Sequence, residues 1–183
     1  MHSLYFVLLE KGDAKNSQEA RQKARQTLDE NSFSNDNNGY FGSSKADWYV
    51  IGGRWSGELS KLLMKKDFYH EVCKLYPNKD KESKWVEYDS EAVRENAKAV
   101  QELWEKLGGR GQNIFTRDNQ YDVGGADDDA MQITTELIKG IQRKKKKYKE
   151  VEVFDVLDCQ EITLPDIKKE NIGSWLVVVD YHM

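Results

Sequence analysis

At 183 residues, with a net charge of −4 from 28 basic and 32 acidic side chains, the chain has the size of one domain and no global pull toward nucleic acid or anionic membrane. Charged residues make up 33% and apolar ones 38%, yet aromatics reach 11%, which excludes wholesale disorder and points to a folded core under a heavily solvated skin. Two cysteines, Cys73 and Cys159, fit reduced thiols better than a disulfide framework, and no apolar run approaches the ~18 residues of a membrane span.

The chain opens on MHSLYFVLLEKGD, which has no basic leader ahead of its short apolar run, so a soluble cytoplasmic protein is expected. Within it, SLYFVLL is a continuous apolar stretch of buried-strand length. In NSQEARQKARQTLDEN, Asn16 followed by Glu19 forms a capping-box pattern, and Ala20, Ala24 and Leu28 make a narrow apolar stripe. Alanines in such a stripe let a helix lie close on a sheet. Residues 33–44, rich in Asn, Ser and Gly, form a loop, and ADWYVIGG a second strand that ends at Gly52 and Gly53.

From Glu58 to Tyr76 the apolar spacing is helical but slips between Met64 and Phe68, which gives one kinked helix or two short ones. A polar loop opened by Pro77 follows. The clearest helix has Val93, Ala97, Val100, Leu103, Trp104 and Leu107 at spacings of three and four, with Asp89 or Ser90 as cap and Gly108 as left-handed stop. Residues 109–125 read as a glycine-marked loop, and the stretch from Asp127 to Lys149 as a third helix with Met131 or Ala130, Ile133, Leu137, Ile138 and Ile141 inward. The segments 151–159 and 174–183 read as strands, joined through Leu164, Pro165 and Asp166.

This order predicts a single α+β domain over residues 1–183: a mostly antiparallel four-stranded sheet with helices packed on one face. A ferredoxin-like core with a helical insertion at about residues 58–108 is one concrete version.

The candidate site centres on DWYVIGGRWSG. Gly52 and Gly53 allow close approach of backbone to a ligand, Arg54 offers a planar fork for a phosphate or carboxylate, and Trp55 is a stacking wall, with Trp48 nearby. The alternative is structural: a tight turn, with the tryptophans in the core and Arg54 on an aromatic face or carboxylate. The spacing matches no phosphate-binding loop. Three consecutive aspartates at 127–129 sit where a helix macrodipole favours carboxylates, and consecutive helical residues diverge too far to share an ion; Asp127 or Asp128 can still join a site with Arg54. The basic run Arg143–Lys149 reads as a solvated helix end. Asp180 and His182 share a strand face and can pair, whereas His2 lies at a flexible start, and His70 with Cys73 is too few ligands for zinc. No metal or cofactor is expected.

The segments DWYVIGGRWSGEL and VVVDYHM together resemble small bacterial and bacteriophage proteins that carry a GGRW segment, a group with no established activity. The resemblance implies a phage or accessory origin, and implies that residues 52–55 and 180–182 lie near each other in space.

Three functions follow as expectations. The first is a non-catalytic binding or interaction module using Gly52–Trp55, with Trp48, Asp127, Asp128, Asp180 and His182 around it, for a small anionic ligand or a protein partner. The second is an enzyme acting on a phosphorylated or carboxylated small molecule, with Arg54 as clamp and Asp180 and His182 as acid–base pair. The third, nucleic-acid binding through Arg143–Lys149, is disfavoured by the acidic remainder of the chain.

Overall fold

The computed structural model describes residues 1–31, 48–75, 95–113 and 128–182. The loops expected at 33–44 and 77–84, the helix start at 89–90, most of the 109–125 loop and Asp127 lie outside the described residues. The described elements are β1 (His2–Leu9), α1 (Ser17–Glu30), β2 (Trp48–Ile51), α2 (Glu58–Leu63), α3 (Phe68–Leu75), α4 (Ala97–Lys106), β3 (Ala130–Gln132), α5 (Thr135–Arg143), α6 (Lys145–Tyr148), β4 (Glu152–Asp155), β5 (Gln160–Thr163) and β6 (Trp175–His182).

The sheet is mixed and six-stranded, in the order β2-β6-β1-β4-β5 with β3 also on β6. This corrects the expected four-stranded, mostly antiparallel sheet in two respects: β1 pairs in parallel with β4, and the short strands β3 and β5 add to the edges. The last strand is the hub. One edge of β6 pairs with β1 along its whole length, while its other edge takes β2 at residues 179–182 and β3 at residues 175–177. Val178 is the joint between them: its carbonyl accepts from Gly52 N–H and its own N–H donates to the Asp129 carbonyl, both at 2.8 Å.

Helices cover both faces rather than one. Tyr5, Val7 and Leu9 pack with Val177, Val179 and Tyr181 against Ala20, Ala24 and Leu28 of α1. On the opposite face Phe6, Leu8, Leu176 and Val178 pack under Leu59 and Leu62 of α2 and Leu137 and Ile141 of α5. Unbroken apolar runs in β1 and β6 demand this, since a strand with one wet face alternates. Each such side chain contributes about 1.5–3 kcal/mol on burial.

Local chemistry sets the helix ends. Asn16 caps α1 by accepting from Glu19 N–H at 2.9 Å. The third helix starts later than its sequence suggests: Thr134 caps it by accepting from Leu137 N–H, and the chain before it is extended as β3. Asp128 and Asp129 therefore precede a strand, and the macrodipole explanation of the aspartate run does not hold. The helical stretch after residue 58 divides into α2 and α3 at the point where its spacing slips. A satellite cluster joins Met64, Phe68 and Val72 to Val100 and Trp104, and Gly108 ends α4 at φ +95. Among the described residues no helix is long and apolar enough to cross a membrane.

Candidate functional site at the glycine turn

The two glycines after β2 answer to two aspartates. Gly52 and Gly53 have φ of +77 and +53, and the chain then makes a 3₁₀ turn over Gly53–Trp55, closed by Trp55 N–H on the Gly52 carbonyl at 3.0 Å. A Cβ on Gly52 would run into the Asp129 carboxylate, and one on Gly53 would lie 2.6 Å from Asp180 Cβ. Only glycine lets the backbone settle onto both acids.

Asp180 is fully buried and uses both oxygens. Oδ2 accepts from Arg54 N–H at 3.0 Å, and Oδ1 lies 3.0 Å from His2 Nδ1. The Asp129 carboxylate accepts from the Ser56 hydroxyl, inside the same turn. Asp128 is also buried and lies below Gly57, which itself packs on the Trp104 ring. Asp128 is thus a support beneath the turn rather than a group on its surface.

What the turn presents outward is Arg54. Its side chain is exposed, and its guanidinium makes no hydrogen bond or ion pair among the described residues. Trp55 beside it is half-buried, packed on the α2–α5 side of the core, and its indole N–H is covered yet has no acceptor among the described residues. The backbone is fixed while the cation is left unspent.

Next to the turn, three rings from β2, β6 and β1 form a triangle. Trp48 is in register with His182, and His182 with His2. The Trp48 and His182 rings are parallel at 5.3 Å between centroids, and His2 meets each edge-on at 5.2 Å. The Met1 amine lies 3.2 Å from His182 Nε2. The structure thus brings together Trp48, Gly52, Gly53, Arg54, Trp55, Asp180 and His182, with Asp128 underneath.

The imidazole hydrogen-bonded to Asp180 is His2, which sequence reasoning had set aside as part of a flexible start; it is instead the first residue of β1. Asp129 was likewise missed. The available signal was register: with β1 and β6 antiparallel and each eight residues long, the first residue of one faces the last of the other.

A second charged cluster lies under α2. Glu58 and Lys61 are buried and paired at 3.0 Å, Tyr148 of α6 donates to Glu58, and Lys147 approaches the same carboxylate at 3.9 Å. Burial, the largest influence, raises the Glu58 carboxyl, but Lys61, Lys147 and the hydrogen bonds from Tyr148 and Lys61 outweigh it and hold the group below its ordinary value. Burial depresses the neighbouring Lys144 ammonium to about 8, with the positive charge of Lys147 adding to it. Lys145, Lys146 and Lys147 are exposed. Among the described residues no group of three or more His, Cys, Asp or Glu side chains is arranged to hold a metal ion.

Chemically, the turn offers an anion the exposed Arg54 guanidinium; the Trp55 indole N–H beside it is covered, and the His2 imidazole is bonded to the same carboxylate that holds the Arg54 backbone. In comparisons with known proteins, no family model, no curated protein and no solved structure matches the chain.

Proposed function

We propose that this protein is a non-catalytic binding module that engages a small anionic ligand, or an acidic group on a protein partner, through Arg54 and Trp55. One observation carries the reading. The Arg54 backbone is anchored on buried Asp180, while its guanidinium stands exposed without an ion pair among the described residues. An arginine serving only the fold would be expected to pair with one of its own carboxylates; here Asp180 accepts from the Arg54 backbone and Asp129 from the Ser56 hydroxyl instead. A preset backbone also lowers the ordering cost of binding.

The test is titration of the chain with small carboxylates and phosphates, read by tryptophan fluorescence, alongside capture of partners by crosslinking. Arg54→Ala is expected to weaken binding at least about tenfold, the scale of one charge-assisted hydrogen bond, with the melting temperature unchanged. An Arg54→Ala variant that retains every ligand and crosslinked partner would end this reading. Free Cys73 and Cys159 support a reducing, cytoplasmic setting.

A second reading, catalysis on a phosphorylated or carboxylated small molecule with Asp180 and His182 handling protons, is favoured by the closeness of Arg54, Asp180 and two imidazoles. It requires turnover of such a substrate that Asp180→Asn abolishes.

A further inference from the structure

We propose that the junction between the end of α2 and the end of α5 is a docking surface for the phosphate backbone of duplex nucleic acid, read without regard to sequence and carried by Lys65, Lys66, Lys145 and Lys146. It uses no residue of the Arg54 turn and does not rest on the reading of Arg54.

Folding assembles the patch from two distant stretches of chain. Arg143 donates to the Leu63 carbonyl at 3.3 Å and Lys144 to the Lys61 carbonyl, so the basic end of α5 is fastened to the last turn of α2. Lys65 and Lys66 leave that junction two and three residues beyond Leu63, while Lys145 and Lys146 leave it one and two residues beyond Lys144. Lys147 stands over the Tyr69 ring at 6.0 Å, which brings α6 alongside the start of α3 as well. Residues 65–67 and 143–147 hold seven basic side chains against the single acid Asp67, in a chain whose net charge is −4.

A helix end gathers cations because its last carbonyls are partly negative. That accounts for Arg143 and Lys144, and Glu58 accounts for Lys147 at 3.9 Å. Four cations are left over. Lys65, Lys66, Lys145 and Lys146 are exposed, and their side chains make no hydrogen bond or ion pair among the described residues. The surplus is felt inside the cluster. The Lys144 ammonium is depressed to about 8, by burial first and by Lys147 next, with Arg143 adding to the shift and Asp67 and Glu58 opposing it.

The chemistry of these four groups selects the partner. A lysine is a point charge without the guanidinium fork that matches a carboxylate, and the one arginine of the patch is spent on a carbonyl. Point charges spread around a junction suit a polyanion of dense, regular charge, and duplex DNA carries one charge per about 1.7 Å of its axis. Single strands are gripped by stacking bases on open aromatic faces. Here Tyr148 is buried, and the Tyr69 ring lies under the Lys61 ammonium at 4.6 Å. A bilayer is held by basic groups together with apolar side chains that insert. The exposed large apolar residues among those described are Met1, Leu75 and Leu157, and none adjoins the four lysines in sequence. A duplex is also a narrow rod, which touches the patch without facing the acidic remainder of the chain.

Fluorescence anisotropy of a labelled DNA duplex mixed with the full chain tests this. Four phosphate contacts give a log–log salt slope of about −3.5, so affinity should fall about a hundredfold between about 50 and about 200 mM salt, equally for two unrelated sequences. Lys145→Gln with Lys146→Gln, or Lys65→Gln with Lys66→Gln, should halve the slope, leaving a fall of about tenfold over the same range. An unchanged melting temperature shows that each pair of substitutions leaves the fold intact, and should one pair fail to fold, the other carries the test. The Lys144 ammonium, followed by nitrogen-detected NMR, should titrate at a higher pH with duplex bound, because the phosphates favour its charged form. Arg54→Ala should leave duplex binding untouched, so this inference and the reading of Arg54 stand or fail separately. No duplex binding at about 25 mM salt, a slope that neither pair of substitutions alters, or a Lys144 titration that duplex does not move overturns the inference. So does tighter binding of poly-glutamate, of phosphatidylserine vesicles or of the single strand than of the duplex.

Discussion

Gly53 is where backbone conformation and packing constrain one position together. Its φ of +53 is costly for any residue with a Cβ, and that Cβ would stand 2.6 Å from Asp180. Gly12 shares only the first handicap: φ is +90, but nothing lies within 4 Å of the added atom. Gly12→Ala is therefore expected to cost about 1 kcal/mol, and Gly53→Ala roughly twice that or more, in urea unfolding. Gly53→Ala should also displace Asp180 and so disturb His2, visible in the histidine resonances. Glu58 gives a second single-residue expectation. Its carboxyl sits below its ordinary value when folded, so its contribution to stability is complete above the unfolded value of roughly 4.3 and drains away as pH falls through the folded one. Urea midpoints measured from about pH 7 down to about pH 3 should decline less steeply for Glu58→Gln than for the parent chain. An unchanged slope would show that the Lys61 and Lys147 contacts contribute nothing to acid sensitivity.

At the scale of elements, α2 and α5 touch through a glycine. A Cβ on Gly140 would collide with the Leu62 carbonyl, a backbone atom that no rotamer change can move aside. Alanine ordinarily improves a helix interior by about 1 kcal/mol over glycine. Here the sign is expected to reverse: Gly140→Ala should lower stability by about 1–3 kcal/mol, because the helices must separate to admit it. Differential scanning calorimetry checks the sign.

How legible the elements were depended on how local their causes are. The Asn16 cap, the break after Met64 and the Gly108 stop act within a few residues, and each was readable. The short strands β3 and β5 were not, because three or four residues become a strand only when a neighbour supplies the hydrogen bonds, and Ala130–Gln132 owes its extension to β6. The covered second face of the sheet was written in SLYFVLL and WLVVV, whose lack of alternation excludes a wet side. Of the site, the turn itself was visible. The union of His2 with Asp180 was not, since it depends on a pairing across nearly the full length of the chain.

For the whole molecule, the hierarchy of pairing sets the hierarchy of stability. β6 and β1 are paired over eight residues and flanked by the core on both faces, whereas β5 is a four-residue edge strand with two side chains exposed and two half-buried. Native-state hydrogen exchange is expected to be slowest at Phe6, Val7, Val177 and Val178, approaching the global unfolding free energy, and several orders of magnitude faster at Glu161 and Ile162. Uniform protection across the sheet would contradict this ordering.

The joint at Val178 has an implication for how such a chain is assembled. β2 and β3 run in the same direction along one side of β6, and residues 52 and 129 are bonded to the same peptide pair. They are two halves of one interrupted border, and everything from Gly53 to Asp128 is a detour that departs and returns at a single rung. Splicing the border across that rung would preserve every ladder bond among the described residues, but it would strip Leu59 and Leu62 from the core and remove Arg54. Among the described residues the excursion is thus dispensable to the ladder but not to the core, which draws Leu59 and Leu62 from it.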